Sequence, residues 1–207
     1  MARPALKMTL KIVPSESPFK VEIATEKHLC FVNEIIEVIA ASAVERGTGR
    51  GKRTVEEISS KISSGKAVIA LDEKSNFAGF CYVESYEDGK FFANSALIVI
   101  PQFRGAGLAK QIKLKAFALG KKLFPNATPI TITTSSAVMK LNSDLGYRPV
   151  SFSEITTDDK FWEGCKGCVN YELLNKMNRK NCLCTAMLCD SPSKTKLVSG
   201  PRKIQKN

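Results

Sequence analysis

The residues with the plainest chemical capacity sit at one turn. A strand-prone apolar run, Ser95-Ala96-Leu97-Ile98-Val99-Ile100, stops at Pro101, and Gln102-Phe103-Arg104-Gly105-Ala106-Gly107 follows. From Leu108 to Ala118 the apolar spacing is that of a helix. Gly105 and Gly107 admit positive φ and let backbone N–H groups approach a ligand with no Cβ in the way. Those N–H groups would stand at a helix N-terminus, where unpaired donors and the helix dipole favour an anion. Strand, turn and helix together predict a diphosphate cradle; a tight strand–helix turn with no ligand is the plain alternative.

The order Arg-x-x-Gly-x-Ala (Arg104, Gly107, Ala109) after Val-x-Pro resembles the acyl-CoA-binding motif of the GCN5-related N-acetyltransferases (GNAT). A second match follows about 40 residues on, in the family's order. Residues 131–134 read as a strand, 136–144 as a helix, and Leu145-Gly146-Tyr147 matches the family's Leu-Gly-Phe/Tyr ending. The resemblance covers roughly residues 19 to 153. It implies an α/β (mixed α+β) acyl-CoA N-acyltransferase fold: a mixed, mostly antiparallel sheet, splayed at the acyl-CoA site and flanked by helices. It implies acetyl-CoA as co-substrate and a small-molecule amine as acceptor. The backbone of Leu97, Ile98 and Val99 would then pair with the pantetheine arm and polarise the thioester carbonyl. The turn Arg104, Gly105, Ala106, Gly107, Leu108, Ala109, Lys110 would hold the diphosphate.

Acyl transfer from a thioester to an amine needs a deprotonated acceptor, donors for the oxyanion and a tolerable leaving thiolate. Many family members carry a tyrosine five residues before the last aromatic of the second match, and it protonates the thiolate. Here that position is Asn142. An amide can hydrogen-bond a thiolate but cannot act as its acid; with a thiol pKa near ~8.5, unassisted departure is feasible at about pH 7 to 8. Glu84, at a strand end, is the candidate base, acting through water, against the plainer reading of a solvated carboxylate. His28, the single histidine, opens a helix away from both motifs and is given no catalytic role.

Thr133-Thr134 before the short helix, Gly146-Tyr147-Arg148-Pro149-Val150 after it, and Arg179-Lys180 ahead of the last strand are similar to N-acetylglutamate synthases of arginine biosynthesis. Those often lack the tyrosine acid too. This narrower resemblance implies acylation of an amino-acid α-amine, such as that of glutamate or ornithine; protein N-termini, polyamines and drug amines remain alternatives. A different class is also open: a non-catalytic acyl-CoA-binding or sensing module on a degenerate acetyltransferase fold.

Seven cysteines are too uneven in number and placement for a disulfide framework. Cys30 and Cys81 read as core residues, while Cys165, Cys168, Cys182, Cys184 and Cys189 crowd the C-terminal part. Cys165-x-x-Cys168 and Cys182-x-Cys184, separated by 13 residues, could bind zinc as four thiolates. A C-x-C pair on a strand is the weaker half-site, so buried free thiols under a C-terminal hairpin are favoured over a metal.

The elements that must position these residues follow from periodicity. Residues 20–25 alternate as a half-buried strand, and 28–44 read as a helix with Leu29, Val32, Ile36 and Ile39 as its buried stripe. The glycine- and arginine-rich 45–53 loop lacks P-loop spacing and follows a helix; it is a mobile basic loop, or, as the family resemblance implies, a wall for an anionic acceptor. Thr54, with Glu57 three residues on, caps the next helix, which stops near Gly65. Strands at 67–71, 77–84 and 91–100 form a meander; the cradle helix runs to about Lys122, a strand spans 129–134, and another lies around 148–155. The expected organisation is an arm (1–18), one acetyltransferase domain (19–190, with 155–190 as a Cys-rich hairpin) and a basic tail (191–207).

The net charge of +11 suits a phosphate-bearing ligand. Without basic–aromatic interleaving, nucleic acid is not the expected partner. No apolar run reaches membrane-spanning length, and no secretory leader is evident, so a cytoplasmic protein is expected. A homodimer is compatible with all of this.

Overall fold

The computed structural model describes residues 17–47, 49 and 51–190; the arm before Ser17 and the tail after Asp190 lie outside them. Seven strands make one sheet in the order β1-β2-β3-β4-β5-β7-β6. They are β1 (Lys20–Ile23), β2 (Ala67–Leu71), β3 (Phe77–Tyr86), β4 (Phe91–Val99), β5 (Thr128–Thr133), β6 (Tyr147–Val150) and β7 (Thr185–Cys189). Every pairing is antiparallel except β4 with β5. Among the described residues six α-helices flank it: α1 (Val32–Arg46), α2 (Val55–Ser63), α3 (Leu108–Leu123), α4 (Ser136–Asp144), α5 (Asp159–Glu163) and α6 (Tyr171–Lys176).

The strand period of two sorts side chains between two layers. Ala67, Ile69 and Leu71 of β2 face α1 and α2, meeting Ile35, Ile39, Ile58 and Ile62. Val68 and Ala70 face α3, meeting Leu108, Ile112, Ala116 and Leu119. β2 is thus buried on both faces, which is why its sequence is apolar without alternation. Among the described residues no helix is long and apolar enough to cross a membrane.

Several expectations are corrected. The chain first makes a 3-10 turn (Glu26–Phe31), capped at Thr25, and only then enters α1. The tighter turn, roughly 3 rather than ~3.6 residues, shifts the helical phase. Leu29 is therefore exposed, Ile35 joins Val32 and Ile39 in the core, and Cys30 is exposed rather than buried. His28 is buried: Thr25 N–H donates to its Nδ1 at 3.0 Å, and its Nε2 lies 3.1 Å from Glu22.

Residues 155–190 form no hairpin. They contain α5, α6 and the single strand β7, which inserts between β5 and β6. The chemistry explains the order: Thr-Ala-Met-Leu-Cys can be buried between two neighbours, whereas Pro149 in β6 suits an edge. Cys182 and Cys184 accordingly precede β7 and do not lie on a strand.

Candidate active site

Ala93 and Ile130 are the last partners that parallel β4 and β5 share; only Phe91–Ala93 pair with Thr128–Ile130. Beyond them β5 continues along β7, from Ile130 opposite Leu188 to Thr133 opposite Thr185. β4 bends away through a bulge, where Phe80 faces Ile98 but Tyr82 faces Ser95. Ala96 in that bulge has φ of 53°, a costly conformation for a residue with a Cβ. The two strands therefore open into a V, and a cavity of about 550 Å³ fills it, lined by residues 94–98 of β4 and by Thr131 to Ser135. Unpaired strand edges in such a cleft offer backbone donors and acceptors to an extended ligand.

β4 leads directly into the glycine turn. Gly105 (φ 85°) and Gly107 (φ 77°) are both left-handed, and Gly107 is the N-cap of α3. The N–H groups of Gly105, Ala106, Gly107, Leu108 and Ala109 donate to no partner among the described residues. Lys110 supplies the first helical hydrogen bond, to Gly107 O at 3.1 Å. Arg104 turns back toward the protein: its Nε donates to Val99 O at 3.3 Å and its Nη1 to Glu45 at 2.6 Å. Ile98 and Val99 are buried against Phe80 and Gly79, and Leu97 lies on the bulge at the cavity wall.

Glu84 also lines the cavity and is 5% exposed. It accepts a hydrogen bond from Lys61, with Lys66 at 3.4 Å and Lys160 at 3.8 Å. Burial alone would raise its carboxyl, but the Lys61 hydrogen bond and the three ammonium charges hold it below the ordinary carboxylate range. Asn142 is fully buried, and its amide donates to Met187 Sδ at 3.7 Å, so it packs into the core beside β7 rather than onto the cavity wall. Arg179 is likewise away from the cavity, paired with Asp159. The cations that do line the cavity are Arg46, Arg53, Lys61, Lys113 and Lys160. Arg46 ends α1 and is held by the neutral Ser42 hydroxyl at 2.8 Å.

Sequence reading missed Lys113. It is 2% exposed, yet it lines the cavity and donates to Asn94 Oδ1 at 3.1 Å. Its place on the inward stripe of α3 was legible; that the stripe meets an opened sheet was not.

Cys165, Cys168, Cys182 and Cys184 do gather, around a small cavity of about 20 Å³ walled also by Tyr171 and Leu174. Among the described residues no group of three or more His, Cys, Asp or Glu side chains is arranged to hold a metal ion.

The chain matches no protein-family model and no curated protein by sequence. Solved structures do match its fold. An N-acetylglutamate synthase from Neisseria gonorrhoeae, complexed with coenzyme A and N-acetyl-glutamate, superposes with a TM-score of 0.58 at 13% identity over 83% of this chain. The match covers 34% of that synthase, so the chain spans about a third of its length. A GNAT-family acetyltransferase from Staphylococcus aureus Mu50 gives 0.57 at 11% identity, covering 83% of this chain and 98% of that one. A GNAT-superfamily phosphinothricin acetyltransferase from Sinorhizobium meliloti, in complex with AcCoA, gives 0.56 at 16% identity, covering 83% and 86%. The fold is that of GCN5-related N-acetyltransferases.

Proposed function

We propose that this chain, with the GCN5-related N-acetyltransferase fold, is an acyl-CoA-dependent N-acetyltransferase that moves an acetyl group from acetyl-CoA to an amine. One observation carries the reading: the strands part immediately after Ala93 and Ile130, and the opened β4 runs straight into a turn of unpaired N–H groups at the head of α3. A ligand with an extended amide-bearing arm and a diphosphate fits both parts at once. The neighbours complexed with coenzyme A or AcCoA support the same ligand.

In this reading the backbone of Leu97, Ile98 and Val99 holds the pantetheine arm, and the N–H groups of Gly105 to Ala109 hold the diphosphate, with Arg104 bracing the turn through Val99 O and Glu45. The amine attacks the thioester carbon, the C–N bond forms, and the carbonyl electrons move to oxygen. Collapse breaks the C–S bond with its electron pair on sulfur. Glu84 receives the acceptor's proton through water, weakly, because the lysines around it lower its basicity. Asn142 gives no proton. The cations Arg46, Arg53, Lys61 and Lys160 favour an acceptor that carries a carboxylate beside its amine, which suits an amino acid such as glutamate or ornithine.

Calorimetry with acetyl-CoA, followed by thiol release against a panel of amines, tests this. Binding with turnover on carboxylated amines is expected. No binding at millimolar acetyl-CoA overturns the reading, and tight binding with no turnover on any amine replaces it with a non-catalytic acyl-CoA-sensing module.

A further inference from the structure

Lys113 is a cation buried with little to justify its burial. Taking an ammonium out of water costs several kcal/mol unless charge or hydrogen bonds compensate. Its one hydrogen-bond acceptor is the neutral side-chain oxygen of Asn94, and no carboxylate pairs with it among the described residues. The face of Tyr147 lies 5.3 Å from Nζ, a favourable but modest contact. A leucine or methionine would pack this stripe of α3 more cheaply, since its neighbours Ile112 and Ala116 are plain core residues.

The place of the ammonium is specific. Asn94 is the first residue of β4 beyond the last β4–β5 pair, so Nζ sits at the apex of the V and on the wall of the cavity. The surroundings are polar and incompletely satisfied: Asn94 Nδ2 and the Tyr147 hydroxyl are buried without a hydrogen-bond partner among the described residues. Meanwhile Asn142, where the resemblance would put the acid, faces Met187.

We propose that Lys113 is the proton donor to the leaving coenzyme A thiolate, which rests on the acetyltransferase reading above. When the tetrahedral intermediate collapses, the C–S electron pair passes to sulfur and one N–H proton of Lys113 passes to that sulfur, giving the free thiol. The proton leaving the acceptor nitrogen passes through water to Glu84 and from there to solvent, and the neutral Lys113 recovers a proton from solvent, so charge and protons balance.

Burial, opposed only by the nearby Cys81, pulls the Lys113 ammonium down to about 8. That is close to a free thiol, so transfer is nearly balanced in energy. The groups facing it are Cys81 of β3, pushed up to about 12, Tyr147 of β6, pushed up further, and the neutral Asn94 of β4. Only Lys113 among them changes charge between pH 7 and 9.

The test compares wild type with K113M and K113R. Wild-type turnover should fall as pH rises through about 8, while K113M loses roughly 30-fold or more in kcat and shows no falling limb. Its acetyl-CoA affinity by calorimetry should stay within about threefold of wild type. K113R keeps the charge but cannot release a proton in this range, and should be as slow as K113M. Wild-type rates in K113R overturn proton donation, and so does a wild-type profile with no falling limb, which does not depend on how either variant folds. Wild-type protein that neither binds acetyl-CoA nor turns over any amine overturns the acetyltransferase reading itself. Normal turnover in K113M overturns only the role of Lys113.

Discussion

Ala93 and Ile130 face each other as the final rung between β4 and β5, and the residues of β4 that line the cavity are Ala93 of that rung and Asn94 to Ile98 beyond it. The cleft is thus made by an irregularity in the sheet. A bulge at Ala96 bends one strand, β7 captures the other, and the freed backbone groups face each other across the gap. The glycine turn matters because it stands at the end of the bent strand.

Gly107→Asp should separate charge from architecture. A Cβ at Gly107 would meet nothing within 4 Å, and aspartate tolerates positive φ better than most residues. The fold should therefore survive. A carboxylate facing the bound diphosphate should weaken acetyl-CoA by about 2–3 kcal/mol, roughly 30- to 150-fold in Kd. Calorimetry reads this directly, and unchanged affinity would place the diphosphate elsewhere.

The pH profile has a second expected feature, on its rising side. The lysines around Glu84 hold its carboxyl below the ordinary range, so it is already ionised well below neutral pH. A rate that rises between pH 6 and 9 must then report the acceptor's own ammonium losing its proton. Changing the acceptor to one with a more acidic ammonium should move that limb down by the same amount. Glu84→Gln should lower kcat/KM by about tenfold or more without moving it. A limb that shifts in the Gln variant would show that Glu84 titrates there after all.

How much of this was readable in advance differs between the two halves of the chain. Ala67–Leu71 and Ser136–Asp144 have the predicted limits, because the first is a short apolar run between turns and the second is capped by Ser135. The glycine turn was equally plain, since its φ values demand glycine. The C-terminal third was not. β7 is defined by where it inserts, and α5 and α6 are too short, at 5 and 6 residues, to show a helical period. Lys113 was hidden for a different reason, since α3 is 16 residues long and its period is clear. A lysine on an apolar stripe looks like a surface residue until the sheet opposite it opens.

Glu87 ties that C-terminal segment to the β3–β4 turn. Its carboxylate accepts from Thr156 Oγ1 and Thr157 N–H, both at 2.6 Å, and its own N–H donates to Asp158 at 2.9 Å. The Thr156 hydrogen bond, with Thr157 and Lys90 adding to it, outweighs partial burial and draws the carboxyl down to about 2. A depressed carboxyl contributes stability that is present above its unfolded value of about 4.5 and is lost as pH falls toward about 2. After solvent screening this is about 1–2 kcal/mol. Glu87→Gln should lower Tm at pH 7 and flatten its dependence between pH 4.5 and 2. An unchanged Tm at pH 7 would show that the segment is held by its core contacts alone.

The gathered cysteines decide a last prediction, on metal. Zinc binds thiolates, so a site must release protons to form. Here burial first, and neighbouring sulfur second, push Cys165 up to about 11 and Cys184 up to about 12, which keeps both protonated at neutral pH. Cys182 and Cys184 lie on the irregular approach to β7, and Cys165 and Cys168 on the turns after α5, so neither half is held by regular structure. Their neighbours, Phe152, Leu174 and Ile132, are apolar, and small thiols fill such a gap well. The expected outcome is less than about 0.1 zinc per chain by elemental analysis, with Cys165→Ser shifting Tm by no more than about 2–3 °C. Alkylation at pH 7.5 should consume exposed Cys30 first and these four slowly. One zinc per chain, with a chelator loosening residues 165–184 while acetyl-CoA still binds, would instead make the cluster a metal clamp, because the ion itself would then supply the charge that ionises the thiols.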